Sequence, residues 1–389
     1  MTDLLRRYSD SLAASARDGL LRRLPDTDTL PDLLDFSGND YLGLARRPEL
    51  VDAAAKAGHR FGAGATGSRL LSGNTRLHME LEARIAQDKG TEAALVFSSG
   101  YQANAAAIAA LLDKAALGAE PLVFADRLNH ASMHLGCTLA GARQTRYRHL
   151  DLAHLLEQLE KYAGDPRPKF ILSETVFGMD GDQADVAQLQ SLALRYGALL
   201  YLDEAHATGV FGPNGFGLAE TIELAPSTVV MGTFSKALGV GGGYVACSSL
   251  VRDFLINRAG GFIFSTAPSP LVLGAALCAW DLLPSLWAER AGLLARAEKL
   301  RASLRAMGLD TGTSTTQIVP VILGDPLRTM AARDALAEQG IRVSAVRPPT
   351  VPQGSSRLRL GLSAAHTDAD LERLVHSLVQ SLGEALRSL

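Results

Sequence analysis

Cysteine is scarce in this chain: Cys137, Cys247 and Cys278 are the only three among 389 residues. So odd and sparse a set, without metal-ligand spacing, excludes a disulfide scaffold and favours a reducing compartment, here the cytoplasm. An excess of one charge is missing too. Lys and Arg number 38 against 41 Asp and Glu, a formal net charge of -3, which argues against a nucleic-acid footprint. The N-terminus carries Asp3, Arg6, Arg7 and Asp10 where a secretory leader needs an apolar core. Neither a signal peptide nor a transmembrane span is therefore expected. Internal repeats and extended low-complexity tracts are also lacking. Hydrophobic residues make up 47% and glycines number 37, enough for a large core of close-packed layers, and the length favours two or more domains.

Residues 1–24 read as an amphipathic helix with Leu5, Leu12, Leu20 and Leu21 among its apolar positions, packing on the body of the fold or covering a substrate entrance. Ser37 to Gly43 form a compact turn, and Gly62, Gly64, Gly67 and Gly73 mark a loop that is either a binding loop or merely tight. Short apolar runs follow at Ala94–Phe97, Leu122–Ala125, Phe170–Ser173, Leu199–Leu202, Thr228–Met231 and Gly243–Ala246. Helices are expected between several of them, notably at 102–112, 151–162 and 183–196. Strands apolar on both faces belong to a buried, mostly parallel sheet, so the fold class is α/β, an open layered sheet. No Gly-x-Gly-x-x-Gly follows the first of these strands, which disfavours a dinucleotide fold. After about residue 280 the pattern changes to a long helix at 285–307, a helix at 327–339 and apolar segments at 317–323, 341–346 and 357–362. This reads as a smaller α+β domain with an antiparallel sheet. The expected division is residues 1–45 as an N-terminal helix and substrate-side segment, 46–280 as the large domain, and 281–389 as the small one.

Two strand ends carry the chemistry. Asp203-Glu204-Ala205-His206 follows the run Ala198–Leu202, and Thr233-Phe234-Ser235-Lys236 leaves the strand at 228–231. A lysine by itself is more often solvent-facing, but a strand end is where open sheets place ligands. A deprotonated lysine amine there can form an imine with an aldehyde. A carboxylate against a pyridinium nitrogen keeps that nitrogen charged and makes the ring an electron sink, while an imidazole can serve the ring's phenolic oxygen. The set suits pyridoxal 5'-phosphate (PLP). Ser98-Ser99-Gly100-Tyr101 joins a strand to a helix, a place where exposed amides attract phosphate, and Thr233 and Ser235 add hydroxyls. His130, in Asp126-Arg127-Leu128-Asn129-His130-Ala131-Ser132, is either a ring-stacking group or a surface histidine. Arg357 and Arg359 alternate with leucines and so share a strand face, either solvated or gripping a carboxylate.

Together with Asn39-Asp40-Tyr41-Leu42-Gly43 and Gly67-Ser68-Arg69-Leu70-Leu71-Ser72-Gly73, these segments resemble the α-oxoamine synthase family of fold-type I PLP enzymes, in order and spacing across nearly the whole chain. Arg347-Pro348-Pro349-Thr350-Val351-Pro352 with Arg357-Leu358-Arg359 is similar to one branch of it. The resemblance implies that Lys236 carries the cofactor, Asp203 meets the ring nitrogen, His206 the ring oxygen, and His130 stacks on the ring. It places Gly100, Tyr101 and Thr233 at the phosphate, with Ser265 and Thr266 reaching it from the neighbouring subunit of a homodimer. Arg359, assisted by Asn39, is implied for the substrate carboxylate. One departure stands out: relatives often carry Ser where this chain has Gly178, which puts the usual network at the ring oxygen in doubt and widens the pocket.

The implied reaction is decarboxylative condensation of L-alanine with a pimeloyl thioester on CoA or acyl carrier protein, as in biotin biosynthesis. Glycine with succinyl-CoA, serine with palmitoyl-CoA, glycine with acetyl-CoA and a related aminoketone signal synthesis remain as alternatives within the family. A PLP-binding regulatory protein without turnover is the alternative outside it; no fused DNA-binding segment is visible to favour that reading.

Overall fold

The apolar runs between residues 94 and 246 become strands of one seven-stranded sheet: β1 (Ala93–Phe97), β2 (Leu122–Asp126), β3 (Gln144–Tyr147), β4 (Lys169–Glu174), β5 (Ala198–Asp203), β6 (Thr228–Thr233) and β7 (Gly243–Cys247). Their order across the sheet is β1-β7-β6-β5-β4-β2-β3. β3, β2, β4, β5 and β6 run parallel, whereas β7 is antiparallel to both β6 and β1. Except at β3 and at Leu199, every strand residue is buried, which is why these segments read as unbroken apolar runs. The edge strand β3 was not expected. Its sequence, Gln-Thr-Arg-Tyr, is half-exposed and lacks that signal. The structure is a computed structural model that describes residues 2–24 and 33–387, with side chains as far as 383.

This sheet is the centre of the larger of two compact units, Asp40–Gly178 with Gln183–Ala291. Within it the helix Gly100–Leu111 is alanine-rich and buries eight of its residues. Such short side chains let it close on the helix Ala131–Leu139, where a Cβ on Gly136 would stand 2.7 Å from Ile108 Cβ. One helical run, Pro270–Ala306, is long and apolar enough by length and composition to cross a membrane, with 44% of its most apolar window buried in the protein. Its Leu273, Ala276, Ala279 and Trp280 are core residues.

The smaller unit comprises Met1–Asn39, Met179–Asp182 and Gly292–Leu389. Its three-stranded antiparallel sheet has Ser356–Gly361 at the centre, flanked by Ser344–Val346 and Ile318–Gly324. Leu34–Asp35 pairs in parallel with Ile341–Arg342, so the N-terminal segment clusters with the C-terminal one, and the boundary falls at 291/292, later than the sequence places it. The N-terminal helix spans Asp3–Arg17 and not the expected 1–24; Gly19, at φ 67°, turns the chain out of it. None of its residues is buried, and Leu5 and Leu12 are exposed.

Beside the sheet lies a charge pair with both side chains wholly buried. Lys89 Nζ stands 2.5 Å from Glu204 Oε2 and also donates to the Phe216 carbonyl. Glu204 accepts a further bond from Ala219 N at 2.8 Å. Burial works against the ammonium, but Glu204 and then Tyr244 outweigh it and raise the Lys89 pKa to about 12. Removing one member of such a pair strands the other charge in a dry interior. Lys89→Met is therefore expected to cost about 3–5 kcal/mol of stability, measured as the loss in unfolding free energy in urea.

Candidate active site

Parallel strands bring their carboxyl ends to one edge of a sheet, the usual place for ligands in open α/β layers. Glu174, Asp203 and Thr233 are the last residues of β4, β5 and β6. Glu174 pairs with Asp203 in register, and Asp203 with Met231. The loop after β6 carries Lys236, which is half-buried.

A buried carboxylate needs hydrogen-bond donors. Asp203 Oδ1 accepts from Ala205 N at 2.9 Å and Oδ2 from Asn104 Nδ2 at 2.7 Å. The same amide nitrogen donates to Ser132 Oγ at 2.9 Å, and Ser132 Oγ lies 2.6 Å from His130 Nδ1. Tyr201 Oη donates to Asn104 Oδ1 at 2.9 Å. Burial and then the Asp203 carboxylate push the Tyr201 phenol well above its ordinary pKa, so it stays a donor. Asn104 thus joins the carboxylate at the end of β5, through Ser132, to the imidazole of His130.

His130 caps the helix Ala131–Leu139 and meets Tyr101 edge-on at 6.1 Å between ring centroids. Its pKa is lowered. Desolvation by burial is the largest cause; Asp203 opposes it, and Lys236 and His134 act with it. Glu174 also belongs to this cluster. Its carboxyl is pushed well above the usual range, by burial first and then by Asp203; Lys236 and the His130 and Gly178 amides, whose bonds it accepts, pull the other way. His206 is 6% exposed and bonds through Nδ1 to Tyr41 Oη at 2.7 Å.

A second group of polar atoms gathers at the start of the helix Gly100–Leu111. Ser99 is the N-cap, accepting from Gln102 N at 3.1 Å. Gly100 lets Thr233 come close: a Cβ at 100 would lie 3.1 Å from Thr233 Cβ. Thr233 Oγ1 and Ser235 Oγ are 2.8 Å apart. The Thr266 carbonyl, in the stretch holding Ser265, accepts from Ser98 Oγ of the same chain at 3.3 Å. In the smaller unit, Arg359 Nη2 donates to Asn39 Oδ1 at 2.8 Å, while Arg357 is held by Asp180 at 2.6 Å. Both guanidinium groups are buried, so this is not a solvated strand face.

The structure therefore brings Lys236, Asp203 and His130 into one electrostatic cluster, sets Gly100 against Thr233, and pairs Asn39 with Arg359. Sequence reasoning missed Asn104, Ser132, Tyr201, Glu174 and Tyr41 as members. Asn104 lies within the helix expected at 102–112, whereas Ser132 lies in the helix Ala131–Leu139, which was not named in advance, and no spacing rule connects position 104 with 132 or 203.

The sequence model of the aminotransferase class I and II family matches residues 31–378. The chain is 56% identical over 353 residues to a Magnetococcus marinus protein provisionally named 8-amino-7-oxononanoate synthase, covering 91% of this chain and 89% of that one. It is 52% identical over 354 residues to the 8-amino-7-oxononanoate synthase of Gluconacetobacter diazotrophicus, covering 90% and 88%. Among solved structures, the serine palmitoyltransferase of Sphingomonas wittichii superposes with a TM-score of 0.86 at 30% identity over 98% of this chain and 97% of that one. The 8-amino-7-oxononanoate synthase of Francisella tularensis does so with a TM-score of 0.77 at 27% identity over 90% and 98%. Fold and site thus define a PLP-dependent transferase of fold-type I. The chain belongs to the α-oxoamine synthase family within aminotransferase class I and II.

The residues present fit PLP. An amine in the loop after β6, a carboxylate with fixed oxygens, and a helix start flanked by hydroxyls are the nucleophile, acceptor and donors that an aldehyde, a protonated pyridine nitrogen and a phosphate require. Asn104→Ala would leave Asp203 Oδ2, Ser132 Oγ and Tyr201 Oη each short of a partner. It is expected to weaken PLP binding about tenfold, read by fluorescence titration of the cofactor-free protein.

Proposed function

We propose that this enzyme condenses L-alanine with a pimeloyl thioester, on CoA or acyl carrier protein, to give 8-amino-7-oxononanoate, carbon dioxide and the free thiol. The observation that carries this reading is the 52% identity, over 90% of the chain, to the Gluconacetobacter diazotrophicus protein of that name. The PLP-dependent α-oxoamine-type condensation itself is common to the family; the choice of alanine and of the pimeloyl group is the proposal. We place the reaction in the cytoplasm, within biotin biosynthesis, in a homodimer.

Bound PLP supplies an electrophilic aldehyde and a ring that accepts electrons. Lys236 Nζ is the group we assign to hold it and, once displaced, to take the Cα proton of the amino acid. Asp203, with its oxygens held by Asn104 and Ala205, keeps a proton on the ring nitrogen. His130 would cover a ring face. Its lowered pKa keeps it neutral there at pH 7, so it adds no positive charge beside the amine. His206 serves the ring oxygen. The amides at Gly100 and Tyr101 and the Thr233 hydroxyl bind the phosphate, joined by Ser265 and Thr266 of the second copy. Arg359, oriented by Asn39, binds the substrate carboxylate. With the cofactor bound, the overall chemistry would join Cα of the amino acid to the thioester carbonyl and release the thiol and carbon dioxide, with Lys236 placed to remove and return the Cα proton.

PLP-loaded protein incubated with pimeloyl-CoA is expected to release CoA with L-alanine at least about tenfold faster than with glycine, serine or threonine, since a side-chain pocket discriminates by ~1–3 kcal/mol per small group. Absence of alanine-dependent release sinks the substrate assignment. Lys236→Ala is expected to abolish the borohydride-reducible bond to PLP, checked by mass spectrometry of the reduced protein.

A further inference from the structure

From its sequence Tyr41 is only part of a turn, with no chemical role, yet it is wholly buried and its hydroxyl meets the imidazole of His206. The turn is built to hold it there. Asp40 Oδ1 accepts from Leu44 N at 2.9 Å and Oδ2 from Ala45 N at 3.2 Å, while Gly43 N donates to the Asp40 carbonyl at 3.1 Å. Tyr41 is thus anchored on both sides, and its ring lies 6.0 Å from the imidazole, centroid to centroid. The opposite edge of that imidazole faces Gly178. A Cβ built on Gly178 would stand 2.3 Å from His206 Nε2 and within 3.0 Å of the adjoining ring carbons, so it would have to push the imidazole aside.

We propose that Tyr41 is a positioning residue that donates its hydroxyl proton to His206 Nδ1, fixing the ring and leaving the proton on Nε2, with Gly178 kept bare to admit that edge. A neutral imidazole carries one N–H, so an acceptor at Nδ1 makes Nε2 the donor. Gly178 thereby acquires a steric role, and the hydrogen bond that orients His206 comes from residue 41. The inference rests on the reading that His206 serves the cofactor's ring oxygen, but its test looks at His206 itself.

The experiment uses holoenzyme labelled with 15N-histidine, the His206 signals being assigned by their loss in His206→Asn. A pyridine-type shift at Nδ1 and a pyrrole-type shift at Nε2 are expected, and Tyr41→Phe should mix the two forms. Tyr41→Phe should also alter the cofactor's visible absorbance and lower kcat about tenfold, with no further change of absorbance when added to His206→Asn. A packing role for Tyr41 would lower stability equally in both backgrounds and leave the shifts alone. Should Tyr41→Phe fail to fold, Gly178→Ala displaces the same ring from its other edge and is expected to mix the same signals. The inference is overturned if His206 carries its proton on Nδ1, or if the variant leaves its shifts unchanged. If the shifts respond to Tyr41→Phe while His206→Asn leaves the absorbance untouched, the inference stands and the ring-oxygen role of His206 falls.

Discussion

Burying the Asp203 carboxylate at the end of β5 is the constraint around which the site is organised. An ionised carboxyl in that position is costly unless its oxygens are met, and two donors meet them: the Ala205 amide two residues on and the Asn104 side chain from the helix Gly100–Leu111. The second donor makes the site a tertiary object. Asn104 uses its other N–H for Ser132 and its oxygen for Tyr201, so three segments, this helix, β5 and the start of the helix Ala131–Leu139, must be in place together. Such a network either closes completely or leaves several buried groups unpaired, which makes the arrangement of carboxylate and imidazole close to all-or-none.

Charges nearby are distributed to different ends. Asp203 and Glu174 end adjacent strands in register, and two like charges so close in a dry place oppose one another; with burial, this drives Glu174 toward its neutral form. Glu204, next in sequence to Asp203, faces away to the wholly buried Lys89, whose cationic form is the more favoured for it. Three neighbouring carboxyls therefore meet three environments: Glu174 is driven toward its neutral form, Glu204 is paired with an ammonium, and Asp203 is held by the Ala205 amide and the Asn104 side chain.

Most of the large sheet was legible because its strands are buried on both faces, and burial on both faces writes itself as consecutive apolar residues. The strands at 94–97, 122–125, 170–173, 199–202, 228–231 and 243–246 all form, each with ends within two residues of the expectation. β3 escaped because an edge strand of Gln, Thr, Arg and Tyr has no such run. The N-terminal helix was overextended because Leu20 and Leu21 fit its period, whereas Gly19 had already turned the chain. The pairing of Leu34–Asp35 with Ile341–Arg342 was invisible for a simpler reason: two residues cannot declare a strand.

Sequence alone supplied the expected reactive set: Lys236, Asp203 and His206 sit in strand-end motifs whose residue types suit an aldehyde cofactor, and the family resemblance added His130. Tertiary structure decided who holds that set in place. Asn104, Ser132, Tyr201, Glu174 and Tyr41 act on partners tens of residues away, or more than a hundred, and hydrogen bonds over such separations leave no period or spacing in a chain. The same holds for Gly178: its glycine looked like a missing serine until the imidazole of His206 was found to occupy the space a side chain would need.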